Sequence, residues 1–150
     1  MSIVEDLAPG RTGLEQLRAL MQRDRRAPGI GQALDFSLVE VEEGRVVFES
    51  TPGPHVYNPI GSVHGGFAAT LLDSACGCAV HTKLNAAQGY TTLELKVAYH
   101  RGMSAKTGPV RAEGRVVSIG RRAAFAEATL KDADGRLYAS ATSTLLVMDK

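Results

Sequence analysis

An aspartate and a pair of glycines stand out in the stretch Asn58–Val80, N-P-I-G-S-V-H-G-G-F-A-A-T-L-L-D-S-A-C-G-C-A-V. Asp73 sits among Phe, Ala, Leu and Cys, in a run that otherwise reads as a buried helix. A buried, unpaired carboxylate is costly, and aspartate is a poor helix former. Two roles offset that cost. Asp73 can be anchored by a backbone amide or an arginine, or it can be a general base or nucleophile working in a dry site. Gly65 and Gly66 open the same helix. The first amide hydrogens of a helix lack internal partners and carry partial positive charge, and glycine leaves them unshielded. That pattern suits an oxyanion donor; it equally suits a tight turn.

Spacing then constrains the chemistry. Asp73 follows Gly65 by eight residues, about 12 Å along a helix axis. One helix cannot aim both groups at one small reacting centre. A second copy running antiparallel across a two-fold axis can, so the active unit is expected to be at least a dimer with two shared sites. Asn58 and His64 in the loop before the helix are candidates for holding a water or a carbonyl oxygen. Thr91 shares strand parity with Leu93, Leu95 and Val97, so its hydroxyl is expected on the inner face. Phe67, Leu72 and Cys76 are candidates to line an acyl pocket. No metal site is expected: His55, His64, His81 and His100 have no ligand spacing, and Cys76 and Cys78 point about 200° apart on a helix. The turn Gly120-Arg121-Arg122 can hold a phosphate, or it can be a solvated hairpin tip.

The elements that must position these groups follow from periodicity. Residues 11–26 repeat Leu14, Leu17, Leu20 and Met21 at helical spacing, with Thr12 able to cap, and Pro28 with its neighbouring glycines ends the run. Alternation through 33–51 with Glu43-Gly44 at the turn reads as a β-hairpin. Three prolines exclude regular structure from 52–62. A helix over about 64–82 is apolar or small all round and must be wrapped on most sides. Four strands follow, at 91–100, 109–119, 122–131 and 136–148. Short turns between consecutive strands favour an antiparallel sheet, and a strongly curved one can wrap the helix. The fold class is α+β: a helical extension over 1–29, then one domain over 30–150.

The bulk composition narrows the function. The chain has 150 residues, 44% hydrophobic and 22% charged, which suits one domain with a real core. A net charge of +1 argues against nucleic-acid or membrane-surface binding. No apolar run approaches the roughly 18–20 residues of a membrane span. No leader pattern precedes Gly10, and closely spaced cysteines in one helix point to free thiols, so a cytoplasmic location is expected.

The run N-P-I-G-S-V-H-G-G, followed by Asp73 nine residues after His64, resembles the hotdog-fold acyl-CoA thioesterases. It is most similar to the PaaI-like (phenylacetate-pathway) branch of the 4-hydroxybenzoyl-CoA thioesterase superfamily, in which aspartate rather than glutamate occupies this helix. The resemblance spans roughly residues 30–148. It implies a curved antiparallel sheet around a central helix, paired into dimers and often tetramers. By the same resemblance the Gly65 amide, next to Gly66, polarises a thioester carbonyl, and Asp73 of the neighbouring subunit attacks it or activates water. Asn58, His64 and a hydroxyl near Thr91 assist. Arg101, Gly120, Arg121 and Arg122 are implied to hold the nucleotide of coenzyme A, which is part of the substrate, so no separate cofactor is implied. A hotdog hydratase or dehydratase, or an acyl-CoA-binding module without catalysis, is the alternative on the same scaffold.

Overall fold

The structure, a computed structural model, describes residues 2–23 and 29–150. Helices α1 (Ile3–Leu7), α2 (Gly13–Met21) and α3 (Ile30–Ala33) lead into β1 (Phe36–Glu42) and β2 (Arg45–Ser50). The long helix α4 spans Gly65–His81, and β3 (Gln88–Tyr99), β4 (Val110–Ile119), β5 (Ala123–Asp132) and β6 (Leu137–Asp149) follow. The strands form one antiparallel sheet in the order β1-β2-β4-β5-β6-β3.

The expected boundaries hold to within about three residues for the hairpin, the long helix and the four later strands. Thr12 caps α2 in a reciprocal box with Glu15. The first helix is shorter than its apolar repeat suggests: it ends at Met21, and residues 24–26 of that repeat, with the break at Pro28, lie outside the described residues. The proline-rich loop holds one short 3-10 turn, Pro54–Val56, in place of the wholly irregular path expected for it.

α4 lies across the sheet, and its inward residues Leu71, Leu72, Ala75, Cys76, Ala79 and Val80 are all fully buried. Removing each leucine from water stabilises by about 1.5–3 kcal/mol. Thr82 closes the helix, accepting from the Gly44 amide at 2.7 Å and so tying its end to the β1–β2 turn. Leu17 of α2 is 2% exposed and belongs to the same core. Gln16 accepts from His81 at 2.8 Å, and the Gly13 amide bonds the Leu84 carbonyl, so α2 is pinned to the end of α4. The helix is not wrapped all round. Gly66 is exposed and Ala69, Thr70 and Asp73 are half-buried, which leaves one open seam along its length.

The helix approaches the sheet closely at Gly114 of β4, where a Cβ would overlap the Ala75 carbonyl. Replacing Gly114 with alanine is expected to cost about 1–3 kcal/mol or more by overpacking, read as a lowered urea midpoint. Gly102→Ala, with nothing within 4 Å of its Cβ position, is the near-neutral control.

Candidate active site

The loop 57–64 is shaped by its own polar groups. Asn58 accepts at Oδ1 from the amides of Ile60 (3.1 Å) and Ser62 (3.2 Å) and donates from Nδ2 to the Ser62 hydroxyl at 3.1 Å. Backbone bonds Asn58 N–H to Ser62 and Gly61 N–H to Asn58 close the same turn, and Gly61 takes φ 91°, which glycine permits. Most of the Asn58 amide is therefore spent on holding the loop; one Nδ2 hydrogen remains.

His64 is the N-cap of α4. Its Nδ1 accepts from the Gly66 amide at 2.8 Å, which requires the ring proton on Nε2. The Phe67 amide bonds the His64 carbonyl. Of the first three amide hydrogens of α4, those of Gly66 and Phe67 are thus taken. The Gly65 N–H donates to no described residue, so Gly66 supports the site by its small size and Gly65 alone offers a free donor. Tyr99, which sequence reasoning missed, donates from its hydroxyl to the Gly65 carbonyl at 2.7 Å and fixes the helix start against the end of β3.

Asp73 is half-buried on the open seam, and its Oδ1 accepts from the Thr92 hydroxyl at 3.0 Å. The partner is Thr92 and not Thr91. A bulge between Thr92 and Glu94 inserts one residue, so Tyr90 and Thr92 share the inner face with Leu95 and Val97, while Thr91 and Leu93 point outward. Strict alternation through Leu95 and Val97 placed the wrong threonine inward because a bulge leaves no mark in a period-2 pattern. Asp73 therefore has a hydroxyl donor rather than the backbone amide or arginine considered for a structural role.

Leu72, Cys76 and Phe67 are buried in the core of the single chain, and none of them lines the two cavities that flank α4 among the described residues. A small cavity of about 250 Å³ lies over the start of α4, lined by His64, Gly65, Ala68, Tyr99 and Arg101 among others. Arg101 therefore stands beside the Gly65 donor. Gly120, Arg121 and Arg122 do not: the Arg122 carbonyl bonds Val147 on β6, whereas the Arg101 amide bonds Tyr138. Nine strand residues separate those β6 positions, roughly 30 Å. Arg101 and the Arg121–Arg122 turn thus stand at opposite ends of β6.

The sequence profile of the thioesterase superfamily matches residues 60–139, from the loop before α4 into β6. A protein of Saccharolobus solfataricus named as a candidate esterase is 30% identical over 134 residues, 89% of this chain and 94% of its own length. Among solved structures, a thioesterase of Haemophilus influenzae superposes with a TM-score of 0.77 at 18% identity, covering 91% of this chain and 90% of that one. A phenylacetic acid degradation-related protein of Ralstonia eutropha, named as a candidate thioesterase, gives 0.76 at 24% identity, covering 87% of this chain and 98% of that one. The chain belongs to the thioesterase superfamily: it is a hotdog-fold thioester hydrolase.

Burial pushes the thiols of Cys76 and Cys78 up to about 12, and the charge of Asp73 adds to the shift. An unfolded thiol ionises near 8.5. The folded state holds these protons more tightly, so stability is fully present below about pH 8.5 and is lost as pH rises toward 12. Denaturant midpoints should fall across that range, and Cys76→Ala should flatten the fall. Loss of the hydrogen bond to a carboxylate is worth roughly 10–100-fold. Thr92→Val is therefore expected to lower kcat by that factor, while Thr91→Val stays within about twofold, measured by thiol release.

Proposed function

We propose that the protein hydrolyses an acyl-CoA thioester to the free acid and coenzyme A in a site completed by two copies of the chain. The observation that carries this reading is the pair of groups on α4. Gly65 keeps a free amide hydrogen at one end, and Asp73 displays a carboxylate eight residues, about 12 Å, along the same unbroken helix. Asp73 lies on the open seam and Gly65 at its N-terminal end, so a second α4 packed antiparallel along the seam brings the Asp73 of one copy to the Gly65 of the other. The free edge of β3 supports the same pairing. It is 12 residues long and unpaired on one side, and such an edge is a template for another strand. Antiparallel pairing of two β3 edges also carries the Arg101 end of one chain toward the Arg121–Arg122 end of the other, which answers their separation within a chain.

In this reading the Gly65 N–H of one copy holds the thioester oxygen as it gains charge. Asp73 of the other, held at Oδ1 by Thr92, takes a proton from water at Oδ2. The water oxygen bonds the carbonyl carbon, the C–S bond of the tetrahedral species breaks, and the leaving thiolate of coenzyme A takes the proton that Asp73 removed from water, which returns Asp73 to its carboxylate. Direct attack by the carboxylate is the other route the same geometry serves. The Nε2–H of His64 and the remaining amide hydrogen of Asn58 orient the carbonyl or the water. The aspartate on this helix and the N-P-I-G-S-V-H-G-G run favour the PaaI-like branch. Free Cys76 and Cys78 suit a reducing, cytoplasmic setting, and the exposed outer-face residues Leu93, Val117 and Phe125 suit a pairing of dimers into a tetramer.

Position 65 allows a clean test. It is the first helical residue, and His64 at φ −63°, ψ 135° already has the extended backbone that precedes proline. Gly65→Pro deletes the donor hydrogen at a backbone geometry that proline accepts, but its Cβ would press to 3.0 Å on the Tyr99 hydroxyl; with Tyr99→Phe as the control for that contact, it is expected to lower kcat about 100–1,000-fold. Asp73→Asn should lose most turnover and still bind a CoA ester. Mixing the two inactive variants should restore about a quarter of wild-type activity, because half the dimers then hold one intact site. No recovery on mixing, or a strictly monomeric and fully active protein in sedimentation, would refute the shared site.

A further inference from the structure

Among the described residues, Tyr99 is the one side chain outside α4 and its leading loop that bonds the backbone of the helix start. Its hydroxyl donates to the Gly65 carbonyl at 2.7 Å, across 34 residues of sequence. The base beneath the ring is firm: Tyr99 pairs with Ala139 of β6, and the amides of His100 and Arg101 both bond the Tyr138 carbonyl. The ring is 57% exposed and so adds little to the core. It lines the cavity over the start of α4 together with His64 and Gly65. The carbonyl it grips belongs to the peptide unit that joins Gly65 to Gly66. The N–H of that same unit donates to Nδ1 of His64 at 2.8 Å. One chain of bonds therefore runs from the Tyr99 hydroxyl through a single peptide group to the His64 ring, whose Nε2 carries the proton. Donors linked in this order polarise one another in the same sense. Gly65 has no side chain to lock its backbone, and glycine has more backbone freedom than any other residue. On its N-terminal side the chain is anchored, since the Val63 amide bonds Met103 and the His64 amide bonds Val56. On its C-terminal side the Tyr99 hydrogen bond is what ties the peptide to the sheet.

We propose that Tyr99 is a positioning residue for thioester hydrolysis: its hydroxyl fixes the direction of the Gly65 N–H and of the His64 Nε2–H, and itself touches no reacting atom. The inference rests on the thioesterase reading and adds a residue to it. An oxyanion donor works by being aimed before charge develops on the substrate, and a misplacement of about 1 Å can cost on the order of 100-fold. The bonds that His64 makes within its own turn survive loss of the Tyr99 hydroxyl. The expected effect is therefore that of one neutral hydrogen bond, about three- to tenfold in kcat. Most of that effect passes through Gly65, because its N–H is the donor placed to meet the developing charge.

The test compares Tyr99→Phe with Tyr138→Phe, which removes a hydroxyl bonded to Asp132 at the end of β5. Thiol release is followed with acetyl-, octanoyl- or phenylacetyl-CoA, whichever turns over fastest. Tyr99→Phe is expected to lower kcat about three- to tenfold and to leave KM within about twofold, while Tyr138→Phe leaves both within about twofold. In the Gly65→Pro protein the same Tyr99→Phe change should cost less than about twofold, because the donor it aims is already gone. An unchanged kcat in Tyr99→Phe overturns the inference. So does a loss carried by KM alone, and so do losses that multiply in full in the Gly65→Pro background. Nitrogen NMR of the His64 ring gives a readout that needs no turnover. The Nδ1 resonance should move toward that of an unbonded ring nitrogen in Tyr99→Phe and stay in place in Tyr138→Phe; an unmoved resonance in both overturns the inference. These outcomes leave the thioesterase reading standing. A wild-type protein that hydrolyses no CoA ester sinks that reading, and with it the catalytic role of Tyr99, even where the nitrogen shift is found.

Discussion

The stiffness of one helix governs the rest of the site. α4 fixes its free amide end and its carboxylate on one rod, and nothing within the rod can bring them closer. A helix could be kinked by a proline or a π-bulge, but α4 has no proline, and its buried side is clamped by fully buried leucines, alanines and Cys76. In the proposed mechanism, closeness between the two groups comes from a second rod. The open seam of Gly66, Ala69, Thr70 and Asp73 is the face the proposal assigns to that rod, and its small residues would allow near approach of backbones.

Small residues recur where α4 meets its surroundings, and each has a definite neighbour. Gly114 accepts the Ala75 carbonyl, Gly77 accepts the Tyr90 ring, and Gly65 lies under the Tyr99 hydroxyl. The two tyrosines belong to the two ends of β3, so the strand is fitted to the helix at both. Thr92 between them then has its hydroxyl within bonding distance of Asp73. The polar site is thus a by-product of close packing: the helix must be near enough to β3 for a threonine to reach the carboxylate, and glycine at position 77 permits that approach.

Polar groups at the start of the helix are divided with little redundancy. His64 consumes one amide hydrogen with its ring and another with its carbonyl, and leaves the first unclaimed. Asn58 spends three of its contacts on its own turn. A loop that satisfies itself is rigid, and rigidity is what an oxyanion donor needs, since a donor that must reorganise during reaction loses much of its advantage. The same division explains why Gly66, next to Gly65 and chemically identical, has a different role.

Local pattern alone disclosed the main elements, the capping threonine, the shaped loop, the central helix and the pair Gly65 and Asp73, because each is written in spacing and residue type over a few neighbouring positions. The separation of Gly65 and Asp73, eight residues along one helix, is likewise fixed by spacing alone. What only the tertiary structure decided is which side chains meet. Thr92 displaced Thr91 because a one-residue bulge reverses strand parity without altering composition. Leu72 and Cys76 went to the core because a helix apolar on nearly every side does not say which face the sheet covers. Arg101 and Arg122 parted by about 30 Å because strand direction, invisible in a list of turns, sets which end of the sheet each turn occupies.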